Sequence, residues 1–133
     1  MTIELEMKTN LMPNQEVSEM AIAAASPDNP GPEQLFAVVN ADGTLARGLF
    51  AVSSANLGTG FYEVIFSRDV TRGAYIATIG SSATFDIEQT GQITVVGRAG
   101  NPNGVFITTT DSAGNFQNRG FHLAVLCPQA FAS

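Results

Sequence analysis

The chain has 133 residues, of which 44% are hydrophobic and 14% charged, with a net charge of −6. That length suits one domain with a true core and is short for two. A charged share so far below the usual quarter or so leaves Ser, Thr, Asn, Gln and Gly to cover the surface. The charge is uneven: residues 1–33 hold Glu4, Glu6, Glu16, Glu19, Asp28 and Glu33 against Lys8, while the remainder holds six acids and five Arg. No basic field faces a phosphate backbone, which excludes nucleic acid as a partner. Nothing approaches the ~18 apolar residues of a membrane span, which excludes insertion by a helix.

The first residues, MTIELEMK, are acidic and alternating rather than basic followed by an apolar run, so they do not read as a secretory signal. The expectation is a soluble chain without a signal peptide, with a surface that suits a virion or cell-surface setting. Residues 2–8 place Ile3, Leu5 and Met7 on one side and Glu4, Glu6 and Lys8 on the other, which predicts a half-buried strand. Asn14 as an N-cap, Glu16 in the first turn and Val17, Met20, Ala21 and Ala24 on one face predict a short helix over residues 15–25. It stops at SPDNPGPE, residues 26–33, a linker whose three prolines neither helix nor sheet should cross. The division that follows is an acidic arm with its linker, residues 1–33, and a β-domain, residues 34–133.

Beyond the linker every signal is β. Residues 35–39 run into Asn40-Ala41-Asp42-Gly43-Thr44, whose Asp-Gly step favours a tight hairpin turn, and residues 45–52 return. Phe61–Phe66 and Ala74–Ile79 flank the polar turn 67–73 and read as an antiparallel pair at the centre of the sheet. Tyr62, Val64 and Phe66 share one face of the first strand; Phe61, Glu63 and Ile65 share the other. Both faces are largely apolar, so a second sheet should cover one and a partner subunit or the N-terminal segment the other. Residues 84–88 read as a short strand, followed by Gln92–Gly97, the loop 98–104, residues 105–110, the turn 111–115 and a final strand Phe121–Cys127. About eight strands at intervals of about ten residues predict an all-β fold, an antiparallel β-sandwich or jelly roll carrying a short N-terminal strand and helix arm. LFAVVNADGTLARGLF and VFITTTDSAGNFQNRGF share an order of apolar residues, Asp-then-Gly turn and Arg-Gly, which predicts two similar hairpins at opposite ends of the sandwich.

Chemistry is sparse. His122, the only histidine, alternates with Ala124 and Leu126 along the last strand and reads as a structural histidine bonded to backbone or to a neighbouring strand. Cys127 is the only cysteine; it cannot form an internal disulfide and reads as buried and inert. One His and one Cys on opposite faces of a strand cannot start a zinc site. Asp42, Asp69, Asp86, Glu88 and Asp111 fall mostly at turns, where local backbone bonding explains an Asp. Glu63 lies mid-strand and is expected to pair with Arg68 or Arg72, with a binding-site acid as the second reading. Neither Asp turn has the ladder of an EF-hand, and Gly58 and Gly60 lack the Lys and helix of a phosphate loop. No catalytic residue, metal or cofactor is expected. Arg98, Asn101 and Asn103, with Asp111 and Asn115, offer the Asn, Asp and Arg that grip sugars, although the absence of Trp weakens a stacking platform.

VNADGTLARG at residues 39–48, GFYEVIF at 60–66, GAYIATIG at 73–80, GQITVVGRAGNPNGVFI at 91–107 and FHLAVLC at 121–127 carry a resemblance. Over residues 35–127 the chain resembles a family of poorly characterised small bacterial β-domains, itself similar to the C-terminal head domains of fibre-like and phage tail-fibre-like proteins. The resemblance implies a fold more than an activity. It also implies a Cys at position 73 able to pair with Cys127, where this chain has Gly73. The expected function is a non-enzymatic structural or adhesive head domain that self-assembles or docks on a larger fibre, virion or surface scaffold. Its partner would be further copies of the chain, as a trimer, with Ile3, Leu5, Met7, Phe61, Glu63 and Ile65 at the interface. The alternative is a lectin-like carbohydrate-binding module with a glycan as partner.

Overall fold

In the computed structural model, residues 32–129 are described, together with two two-residue strands just before them. Those strands are β1 (Ala25–Ser26) and β2 (Asn29–Pro30). They pair with each other, Ser26 opposite Asn29, so the proline-rich linker does carry a minimal ladder of its own. The predicted strand at residues 2–8 and the helix predicted over residues 15–25 lie outside the described residues, save Ala25, which opens β1.

Eight further strands follow: β3 (Glu33–Val39), β4 (Leu45–Leu49), β5 (Ala51–Gly58), β6 (Phe61–Phe66), β7 (Ala74–Ile79), β8 (Gln92–Gly97), β9 (Gly104–Thr110) and β10 (Phe121–Cys127). They form two four-stranded antiparallel sheets, β4-β3-β10-β7 and β5-β6-β9-β8, stacked as a β-sandwich. Glu33, expected to close the linker, opens β3 instead.

Alternation explains the stacking. Leu35, Ala37 and Val39 of β3 and Phe121, Leu123, Val125 and Cys127 of β10 point inward from one sheet; Tyr62, Val64 and Phe66 of β6 and Val105 and Ile107 of β9 point inward from the other. All are buried, and side chains two apart on a strand share a face, so each sheet offers one continuous apolar layer to its partner. Tyr62 is the polar exception inside the core. Its hydroxyl donates to the Ala41 carbonyl at 2.6 Å and accepts from the Arg119 backbone N–H at 3.1 Å, while its ring meets Phe121 edge-on at 5.2 Å. One side chain thus ties together a strand, a turn and the segment entering β10.

The expected central pair is not a pair. β6 lies between β5 and β9, and β7 lies at the edge of the opposite sheet beside β10. The cause is Val70, the apolar residue in an otherwise polar turn, which is fully buried and draws the connection across the end of the core. Its N–H donates to the Pro102 carbonyl at 2.8 Å, and its carbonyl accepts from the Tyr75 hydroxyl at 2.8 Å. The single strand expected at residues 45–52 also divides. Phe50 takes a positive φ of 62°, and the chain turns that corner from the first sheet into the second. Residues 84–88 form no strand; they lie in the long connection between β7 and β8.

The two echoed turns share one construction. Asn40 N–H donates to Thr44 O and Gly43 N–H to Asn40 O; Asp111 N–H donates to Asn115 O and Gly114 N–H to Asp111 O. Gly43 and Gly114 sit at φ 92° and 90°, the left-handed position that closes a three-residue hairpin loop and that side chains resist. Both turns stand at the same end of the sandwich, not at opposite ends: β6 begins beside the end of β9, and there the Tyr62 hydroxyl reaches the Ala41 carbonyl of the first turn.

Candidate functional site

The sheet β4-β3-β10-β7 turns a second apolar layer outward. Phe36 and Val38 of β3, Ile76 of β7 and Ala124 of β10 are set opposite the core residues by the same alternation, and they floor a hollow of about 410 Å³ with Arg47 and His122 on its border. Val38 is only 4% exposed, whereas Phe36 is 40% and Ile76 58% exposed. The hollow therefore has a buried base and apolar walls that the described residues leave to solvent.

One margin is held by the start of the long β7–β8 connection. His122 Nε2 lies 2.9 Å from the Ser81 carbonyl, which can only accept, so this nitrogen carries the proton. Arg47 donates to the Ser82 carbonyl at 3.0 Å, and the Ser82 hydroxyl donates to Asn40 Oδ1 at 2.7 Å. His122 is thus bonded to backbone, as its strand position led us to expect. Such a lining can accept an apolar group and answer a negative charge through Arg47.

The other sheet treats its outward side differently. Phe61 lies between Phe116, with ring centroids 4.7 Å apart, and Phe106, at 6.0 Å. Ile65 lies over Gly104, where an added Cβ would stand 2.9 Å from the Ile65 Cδ1. Glu63 accepts from Arg98 Nε at 2.8 Å, and that guanidinium also sits 5.7 Å from the Phe106 ring centre. The partner of Glu63 is Arg98, not Arg68 or Arg72: Glu63 stands beside Phe106 of β9, which brings the β8–β9 loop within reach. Arg68 instead holds Glu33 at 3.0 Å and the Pro128 carbonyl at 2.8 Å. Phe61, Glu63 and Ile65, expected at an interface, are thus half-buried by neighbours in their own sheet, and Ile3, Leu5 and Met7 lie outside the described residues.

The five residues expected to bind a ligand are not brought together. Arg98, Asn101 and Asn103 precede β9, while Asp111 and Asn115 follow it, so the length of the strand separates them. Each is also engaged locally. Asn101 Oδ1 accepts from the Asn103 N–H at 2.9 Å, and Asn103 Nδ2 donates to the Phe66 carbonyl at 3.3 Å. Asp111 Oδ1 accepts from the N–H groups of Ala113 and Asn115, each at 2.9 Å, and the Asn115 bond leads in holding its carboxyl below the usual range. Asp42 and Asp69 are held down in the same way, first by the hydroxyls of Thr44 and Thr71 and then by their N–H groups. These Asp residues fasten turns, as expected.

Cys127 is 1% exposed, and burial pushes its thiol up. Gly73 lies beside it: a Cβ there would stand 2.8 Å from the Cys127 Sγ. Among the described residues no group of three or more His, Cys, Asp or Glu is placed to hold a metal ion, and no helix is long and apolar enough to cross a membrane.

The residues of the hollow escaped sequence reasoning although a signal existed. LFAVV and FHLAVLC are apolar on both sides, the same property that singled out FYEVIF. Comparison with protein families, with curated proteins and with solved structures finds no match to this chain.

Proposed function

We propose that this chain is a non-enzymatic β-sandwich head that works by association, self-assembling as a structural or adhesive unit of a fibre, virion or surface scaffold. The observation that carries the reading is the outward apolar hollow, with Phe36 and Ile76 left exposed on a sheet face whose other side is already committed to the core. Apolar area concentrated in this way, on a chain poor in surface charge, marks a contact surface. Light scattering across micromolar concentrations tests it: a mass above that of one chain is expected, and a single-chain mass throughout would overturn it.

A second reading, a lectin-like module, draws on the row of rings Phe116, Phe61 and Phe106, with Arg98 and Glu63 beside it. Phe116, 52% exposed at the end of the row, gives a stacking surface, and an ion pair near it supplies donors and acceptors for hydroxyls. A glycan array tests this reading, and an array without a binder removes it.

A further inference from the structure

The connection between β7 and β8 carries the two most exposed large apolar side chains among the described residues, Ile87 at 96% and Phe85 at 84%. They flank Asp86, which is also exposed. The crest they form is raised on anchored feet. On one side are the bonds of Ser81 and Ser82 to His122, Arg47 and Asn40. On the other, Glu88 Oε2 accepts from the Gly120 N–H at 2.7 Å, and the Thr90 carbonyl accepts from Arg119 Nε at 3.2 Å. A crest so fixed holds Phe85 and Ile87 out in water before any partner arrives, which lowers the ordering cost of an encounter.

The outward hollow on the β4-β3-β10-β7 sheet has the complementary chemistry. It is floored by Phe36, Val38, Ile76 and Ala124, and Arg47 stands at its margin. Among the described residues the ion pairs are those of Arg68 and Arg98, so Arg47 has no carboxylate against it and Asp86 no cation. An apolar-acid-apolar tripeptide, Phe85-Asp86-Ile87, and an apolar hollow edged by a cation that no described carboxylate faces match in both polarity and charge.

We propose that the two features engage between copies of this chain: Phe85 and Ile87 of one copy enter the hollow of a second, with Asp86 set against Arg47. Because Arg47 is bonded to the foot of the same loop, crest and hollow adjoin on each copy. A two-fold axis therefore seats both crests at once and closes the contact as a dimer. The proposal rests on the self-assembly reading above and supplies its surface and its stoichiometry.

The test measures mass by sedimentation at micromolar concentration, with far-UV circular dichroism as the folding control. The native chain is expected to be a dimer. Phe85→Ser with Ile87→Ser, both at exposed positions, is expected to keep the fold and weaken dimerisation by about tenfold or more. Asp86→Arg and Arg47→Glu should each weaken it, and the two together in one chain should restore it. A native assembly unchanged by the serine variant, or a native mass of three chains, overturns this contact and leaves self-assembly standing. A native chain that stays monomeric overturns both.

Discussion

The two outward faces of the sandwich are built from similar material and finished differently. On the β5-β6-β9-β8 sheet the outward Phe61 is roofed by Phe106 and Phe116, and Glu63 and Arg98 neutralise each other beside them. On the β4-β3-β10-β7 sheet Phe36 and Ile76 have no such roof among the described residues, and a hollow remains. The difference shows that apolar content in a strand does not by itself leave a face open. What decides is whether the neighbouring strands and loops bring side chains long enough to close over it.

Substitutions at matched outward positions should separate the two faces most sharply. Phe61→Ala removes a half-buried ring from its cluster and is expected to cost about 2 kcal/mol in chemical unfolding, whereas Ile76→Ala, compared at concentrations low enough to keep the chain monomeric, should change stability by no more than about 0.5 kcal/mol. Equal losses at the two positions would erase the contrast.

A covalent tie would sharpen it from the other side by pinning the entry to β7 against β10 within the open sheet. Gly73→Cys places a second thiol beside Cys127, and the oxidised variant is expected to gain about 2 kcal/mol over its reduced form. The Leu126 carbonyl at 3.0 Å and Val125 Cγ1 at 3.1 Å from the new Cβ must yield slightly. Thiol titration with and without reductant, followed by urea unfolding, checks the result.

Between the faces, Tyr62→Phe leaves the Arg119 N–H and the Ala41 carbonyl without their shared partner and should cost about 1–2 kcal/mol in the same unfolding measurement. The smallest effect concerns the turns. The carboxyls of Asp42, Asp69 and Asp111 are held low in the folded chain, so below their ordinary value of 3.8 the unfolded chain binds more protons. Their contribution is therefore present at neutral pH and lost as pH falls through the folded values. Asp42→Asn, Asp69→Asn and Asp111→Asn together should keep the turns and flatten that acid limb in a thermal-unfolding series.

How much of this was legible in the sequence depends on the range of the interaction. The β character of residues 35–127 could be read from alternation and turn residues, which are local. So could the roles of Asp42, Asp69 and Asp111, whose partners lie two to four residues away. Sheet membership was not legible, because it turned on Val70 burying itself at the end of the core and on Phe50 accepting a left-handed corner. Residues 84–88 alternate as a strand does, yet no sheet edge receives them. The arginine that answers Glu63 came from 35 residues away, a pairing set by strand register and invisible to proximity in sequence.

Cys127 stands directly opposite Glu33 in the ladder between β10 and β3. Chain therefore enters and leaves the sandwich side by side at one pole, while the glycine turns and the Phe85 crest crowd the other. A carrier joined on either flank would grip the domain as a socket grips a bulb, with the bare crest held toward whatever approaches.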